Sequence, residues 1–402
     1  FYQRKMHLEN KQGEKQAETR AQLKDDAFLR EIHSRLKPGI ENSERRFDVH
    51  KFTCAALELP DFSDFARLRP LIDALIAELD LNDFLGCTAA LEMLAETAAT
   101  APKCVPFFGQ IGLLDKVYAL FIRTKEEPDM GIIHIACIRF FAYLCTTDDN
   151  ALTKFPKFTA DVFDAVFRFD AFDVTRRQLA FETLAVISST SGAKQIFSQN
   201  ETLYNMQRAM SNLAVAVATA AEPSLKARHL EAVRMFFDRI ADESGCQPEQ
   251  KKCDCSPAPN LPFLENDDSP ACTTASAEAE EQLLHRWFRW LGEPFPRLLL
   301  QCVRDPISEV QLAALRVLMA LTRHQWAYAH FCAITDFVNL LVDRSVNFDA
   351  DAMQLKYALI CRLVEAAPSA LNDGQMEMLR DYCTKGPFWG APVVEVATEE
   401  AA

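Results

Sequence analysis

The stretch "VQLAALRVLMAL", Val310 to Leu321, carries a small residue, Ala314, followed by Leu318 and Leu321 in the spacing A-x-x-x-L-x-x-L. That spacing puts the apolar side chains on one face of a helix, because positions three and four apart are neighbours there. It also recurs. "TAALEMLAETA" (88–98), "IACIRFFAYLC" (135–145), "RQLAFETLAVIS" (177–188) and "LKYALICRLVEAA" (355–367) repeat the pattern, and "ARHLEAVRMFFDRI" (227–240) repeats it more loosely.

With Ala90, Cys137, Ala180, Ala314 and Leu359 taken as equivalent, neighbouring copies are 47, 43 and 45 residues apart; Val233 follows Ala180 by 53. Periods of about 40–47 are those of armadillo and HEAT units. Between the copies lie second helices such as "RLRPLIDALIAEL" (67–79), "GLLDKVYALFI" (112–122), "FTADVFDAVFRF" (158–169) and "DFVNLLVDRSV" (336–346). Each pair exposes an apolar face that only the next pair covers. The expected fold is therefore all-α, an armadillo/HEAT-like α-α superhelix.

Two stretches break the period. Residues 1–50 hold 11 Lys/Arg and 9 Asp/Glu without a sustained apolar stripe, and are expected as a disordered or isolated helical extension before a solenoid over 51–402. Residues 242–282 are rich in Pro, Ser, Asp and Glu and read as a disordered loop inserted in the solenoid. At the other end, Gly386, Pro387 and Pro392 stop the last helix near Lys385, so 386–402 is expected as an extended cap, with Phe388 and Trp389 folding back over the final repeat.

Forty-three basic and 57 acidic residues give a net charge of -14, which disfavours nucleic acid and anionic membranes as partners. No run of 18 apolar residues spans a bilayer, and the start does not read as a signal peptide. Thirteen cysteines, several inside apolar helical patterns (Cys87, Cys137, Cys145, Cys302, Cys361), fit a reducing cytoplasm or nucleus.

Motifs for chemistry are sparse. Cys246, Cys253, Cys255 and Cys272 lack the paired C-x2-C spacing that preorganises a zinc site, so no metal and no cofactor is expected. "SSTSGAKQIF" (188–197) is not a phosphate loop, having one glycine and no preceding strand, and reads as a turn with Ser191 capping the next helix. H-E-x-x-H and G-x-S-x-G are absent. The reading is of a protein that is not an enzyme.

A solenoid works through its concave groove, lined by the helix carrying the repeated core pattern. Two and six positions after the small residue lie off the core. Those positions hold Glu92 and Glu96, Arg139 and Tyr143, Glu182 and Val186, Arg316 and Ala320, and Cys361 and Glu365. The charged and aromatic members (Glu92, Glu96, Arg139, Tyr143, Glu182, Arg316, Glu365) are the candidate partner-binding row. Nuclear-import armadillo proteins carry a Trp/Asn ladder there, and neither residue occurs in this row. "HRWFRWLGEPFP" (285–296) and "HQWAYAHF" (324–331) read first as seals between repeats and second as binding platforms.

The last third resembles a known family. "LAALRVLMALTRHQWA", "DFVNLLVDRSVNFDADAMQLKYALI" and "LRDYCTKGPFWGAPVVEVATEEAA" are similar to the C-terminal region of the 26S proteasome non-ATPase regulatory subunit 5 family. The match rests on Trp326, "VDRS" (342–345), "KYAL" (356–359), the run Leu379 to Trp389, and Val396-Ala397; "STSGAKQIF" and "GLLDKVYALF" extend it upstream. Phe388-Trp389 stands where the family's Tyr pair is expected, and residues 1–50 do not resemble it. The resemblance implies a non-catalytic cradle that chaperones assembly of the regulatory-particle base. It would bind the C-terminal domain of a proteasomal ATPase subunit, in a module with a second ATPase and the large non-ATPase scaffold subunit, and leave before the mature proteasome forms. An armadillo/HEAT adaptor for another cargo is the alternative, and a zinc-binding module a more distant one.

Overall fold

The computed structural model describes residues 2–36, 43–80, 83–125, 127–238, 271–346, 348–366 and 369–389. Every regular element among them is a helix. The chain divides into two compact units, Phe1–Ala193 and Lys194–Ala402.

The first unit holds α1 (Tyr2–Lys24), α2 (Asp26–Arg35), α3 (Ser43–Glu58), α4 (Phe65–Ala77), α5 (Phe84–Thr100), α6 (Cys104–Gln110), α7 (Leu113–Lys125), α8 (Gly131–Leu144), α9 (Ala151–Lys154), α10 (Pro156–Phe167) and α11 (Val174–Ile187), and α12 (Ser191–Gln199) leads into the second. The second continues with α13 (Glu201–Tyr204), α14 (Met206–Thr219), α15 (Pro223–Phe237), α16 (Ala271–Trp290), α17 (Pro294–Val303), α18 (Ser308–Leu321), α19 (Gln325–Cys332), α20 (Phe337–Val342), α21 (Ala350–Ala366) and α22 (Asp373–Lys385).

Local chemistry sets the boundaries. Asp83 and Asp173 accept hydrogen bonds from the third backbone N–H of α5 and α11, Gly86 N and Arg176 N, both at 3.0 Å. Asn372 and Gln375 close a capping box on α22. Pro156, Pro223 and Pro294 open α10, α15 and α17, where a missing N–H costs nothing. Gly386 ends α22 with φ +80°, a conformation open to glycine at little cost.

In the first unit α3, α5, α8 and α11 pack side by side in that order, with α4, α7 and α10 behind them. In the second, α15, α18 and α21 form the same kind of ladder, supported by α14, α17 and α22. The repeated pattern lies on these ladder helices, and the repeat architecture follows from it: each apolar stripe is covered by the next helix pair. Phe141 of α8 shows the mechanism. Its ring lies 4.7 Å from Phe155, 5.3 Å from Phe158 and 6.1 Å from Phe121, tying α8 to α7 and α10. Burying each such ring contributes on the order of 1.5–3 kcal/mol. The second unit is sealed by the aromatic clusters, with Trp287 against Phe236 (5.9 Å) and Phe288 against Trp326 (5.0 Å).

Several expectations change. Residues 2–36 are helical, and the stretch from 13 to 36 is packed rather than isolated: Phe28 meets Phe52 edge-on at 5.3 Å, Arg20 pairs with Asp61, and α3 runs through the boundary expected after residue 50. Residues 271–282 of the expected loop are the start of α16. Glu280 pairs there with the buried Lys194 (2.7 Å) and Glu281 faces the buried His324 (2.8 Å), so the acidic composition serves tertiary pairing. The rest of that loop, 242–270, lies outside the described residues, as does 390–402 of the tail. "DFVNLLVDRSV" is helical only to Val342. The turn beyond it is held by Asp343, whose side chain accepts from Ser345 N at 2.8 Å.

Phe388 and Trp389 do not cover the final repeat and stay 58% and 41% exposed. Leu379 and Tyr382 of α22 are buried instead. The cap of α12 is Thr190, whose Oγ1 accepts from Ala193 N (3.1 Å) and donates to Asp149 (3.2 Å). A Cβ on Gly192 would meet the Asp149 carboxylate, so this glycine admits an acid at a helix start.

Candidate partner-binding surface

On the first unit's ladder, Glu92 and Glu96 of α5 and Arg139 and Tyr143 of α8 are exposed side by side, with Tyr143 42% exposed. Arg139 reaches across to Glu92 at 3.6 Å, an exposed cross-repeat pair of small energetic weight. Glu182 is half-buried and accepts a hydrogen bond from Gln178 of its own helix (3.1 Å). Val186 is also half-buried.

Beside Glu92 and Glu96 opens a cavity of about 530 Å³ between α1, α3 and α5. Lys15, Glu18, Lys51 and Glu58 complete its charged lining, and Phe47, Phe52 and Met93 are its large apolar side chains. Burial raises the Glu58 carboxyl above its usual range, the Glu96 carboxylate pushes in the same direction, and Lys15 and hydrogen bonds from Thr97 and Thr100 oppose them. Four carboxylates against two lysines leave this mouth acidic.

On the second unit's ladder the balance reverses. A cavity of about 360 Å³ is lined by Glu231, Arg234 and Asp238 from α15 and the turn after it, by Arg316, Met319, Ala320 and Arg323 from α18 and the turn after it, and by Leu355 of α21. Arg234 pairs with Glu231 at 2.7 Å and with Asp238, which also takes Arg323. Arg316 is exposed and makes no ion pair among the described residues. Three guanidiniums facing two carboxylates make the surface basic.

The repeat rule fails at two rungs. Ala320 is buried, and Cys361 turns toward Cys383 of α22 rather than outward; Glu365, one turn on, is exposed. Sequence reasoning also missed α3 as a ladder helix and Glu231, Arg234, Asp238 and Arg323 as neighbours of Arg316.

Among the described residues no three His, Cys, Asp or Glu side chains are grouped to hold a metal ion. Cys246, Cys253 and Cys255 lie outside the described residues, and Cys272 falls in the first turn of α16. Burial pushes the Cys54 thiol up to about 12 and the Cys87 thiol to about 11, which keeps both protonated. No single described helix is long and apolar enough to cross a membrane.

Stacked two-layer helical repeats presenting rows of mixed charge define an armadillo/HEAT-type repeat protein. Comparison with known sequences carries the assignment further: the profile of the family described as "Proteasome non-ATPase 26S subunit" matches residues 24–245 and 271–402, and the chain belongs to that family. Three similar relatives are named 26S proteasome non-ATPase regulatory subunit 5. The one from Bos taurus is 24% identical, with 82% of this chain aligned to 59% of the relative. For Homo sapiens the figures are 23%, 85% and 61%, and for Mus musculus 24%, 92% and 68%. The chain thus spans about six tenths of the length of the first two.

Solved structures that resemble it include a designed armadillo repeat protein (10% identity, 77% of this chain and 97% of that one, TM-score 0.36). Another is a structure of the UNC-45 chaperone (13%, 89% and 35%, TM-score 0.41). At those scores the fold rests on the helices themselves.

Proposed function

We propose that this chain is a non-catalytic chaperone for assembly of the 26S proteasome regulatory-particle base. It binds the C-terminal domain of a proteasomal ATPase subunit, in a module with a second ATPase and the large non-ATPase scaffold subunit, and is released before the mature proteasome forms. The family gives the reading its proteasomal setting. The observation that carries the binding role is the side-by-side exposure of Glu92, Glu96, Arg139 and Tyr143 on adjacent ladder helices. An extended face of alternating charge suits a folded protein domain, whereas a small substrate needs an enclosed, largely apolar pocket.

The mechanism is steric. A repeat array covering the ATPase C-terminal domain blocks its docking on the core particle, and later base assembly displaces the chaperone. The setting is cytoplasmic, extending to the nucleus. The direct experiment measures docking of an ATPase subunit on purified core particle with and without this chain. Inhibition saturating with the chain supports the reading. Docking that proceeds unchanged while the chain is bound to the ATPase overturns the steric mechanism, and the absence of binding returns the chain to an adaptor of another cargo.

A further inference from the structure

Between α21 and α22 two sulfurs meet. Cys361 Sγ lies 3.4 Å from Cys383 Sγ, and both residues are half-buried. Among the described residues no other two thiols approach within hydrogen-bonding distance. A disulfide requires about 2.05 Å between sulfurs, so closing this pair needs a shift of roughly 1.4 Å shared by two side chains. The helices already hold the backbones in place: the Tyr357 hydroxyl of α21 donates to the Cys383 carbonyl oxygen at 3.3 Å, beside the sulfurs.

We infer that Cys361 and Cys383 form an oxidation site, which a two-electron oxidant of the peroxide class converts to a disulfide joining α21 to α22. Cys383 is the protected partner. Burial first, then its hydrogen bond with Cys361, pushes its thiol up to about 12, so it keeps its proton. Cys361 is the sulfur that meets the oxidant. Its sulfur attacks one peroxide oxygen, the O–O bond breaks, and water leaves with the thiol proton, giving a sulfenic acid at Cys361. Cys383 sulfur then attacks Cys361 sulfur, the S–O bond breaks, and the hydroxyl departs as a second water with the Cys383 proton. Two thiols lose two electrons and one peroxide gains them.

The bond closes a 22-residue span and fastens α22 to the last ladder helix, one turn before the glycine that ends α22. Oxidation therefore reports on, and stiffens, the end of the second unit.

The test treats the full chain with hydrogen peroxide at one to a few equivalents, maps peptides without reduction, and compares thermal unfolding before and after dithiothreitol. The expected results are one linked peptide pair containing Cys361 and Cys383, a mass lower by about 2 Da, and a higher unfolding midpoint that dithiothreitol reverses. Cys361→Ser and Cys383→Ser each abolish the link, and Cys332→Ser, at another half-buried thiol, leaves it intact. Mapping of the unsubstituted chain decides the matter even where a variant folds poorly. Cys361 oxidised to sulfinic acid with Cys383 still a free thiol, or Cys361 linked to a different cysteine, overturns the inference.

Discussion

The guanidinium of Arg344 lies 3.8 Å from the ring centroid of Tyr382 and donates from Nη1 to the carbonyl oxygen of Trp389 at 3.1 Å. It also reaches the carbonyl oxygens of Pro387 and Tyr382, each at 3.4 Å, and lies 5.4 Å from the Trp389 ring. One side chain from the turn after α20 thus fixes the end of α22 and the start of the tail. Because Tyr382 is buried and Trp389 is not, most of the energy belongs to the Tyr382 side of the clamp. Arg344→Ala is expected to cost about 1–2 kcal/mol in urea unfolding and to speed tryptic cleavage after Lys385. Unaltered cleavage would show that the tail is held by something else.

Lys356 gives a pH dependence with a definite sign. It is 1% exposed, donates to the Asp343 carbonyl oxygen at 2.5 Å, and burial lowers its pKa to about 8. Between about pH 8 and 10.5 the unfolded chain keeps this proton and the folded chain has lost it. Stability relative to a Lys356→Met variant should therefore rise with pH across that window, by up to roughly 3 kcal/mol. Below pH 8 both states carry the charge, and the difference should be flat. Urea midpoints of the two proteins at pH 7, 8, 9 and 10 check this; a difference that falls with pH contradicts the assignment.

His324 ties three segments together. It is fully buried, with Nε2 3.0 Å from the carbonyl oxygen of Phe237 at the end of α15 and Nδ1 2.8 Å from Glu281 of α16. The ring also stacks on Trp326, with centroids 5.2 Å apart. Replacing it with Ala empties a buried site and removes the partner His324 gives to the Phe237 carbonyl, for an expected loss of about 2–4 kcal/mol. Chemical denaturation should show it as a lower midpoint without a change in helical content at zero denaturant.

The exposed row should behave oppositely. Arg139 and Arg316 are solvent-facing, so reversing either to Glu is expected to change stability by under about 0.5 kcal/mol. Loss of folding in either variant would mean that these positions belong to the core rather than the surface.

The ladder was legible where the repeated core positions are apolar, as in α18, where Ala314, Leu318 and Leu321 are all buried. It was not legible in α3, whose buried face includes His50 and Thr53. Thr53 Oγ1 donates to the Val49 carbonyl oxygen (2.8 Å) and His50 Nε2 faces Glu78 (3.2 Å), and such polar contacts leave no periodic trace. The same reason hid the start of α16. Its apolar stripe begins only at Leu283, and the preceding Glu280 takes a buried lysine 86 residues away.

Of the candidate row, outward direction could be read from helical spacing at Glu92, Glu96, Arg139, Tyr143, Arg316 and Glu365. Cys361 broke the rule because α22, absent from the repeat pattern, covers it. The basic cavity around Arg316 escaped notice because its other arginines and acids come from α15 and from the turns after the ladder helices, positions that no single-helix rule connects.

The most direct test of the proposed role is a binding titration of this chain against purified C-terminal domains of the proteasomal ATPase subunits, repeated with Arg139→Glu and Arg316→Glu. The account predicts saturable binding to at least one domain and a loss of about tenfold or more in affinity on charge reversal, equivalent to roughly 1.4 kcal/mol, with folding unchanged. Absence of binding to every domain would contradict the chaperone reading, and affinity unaffected by both reversals would place the interface away from these ladder faces.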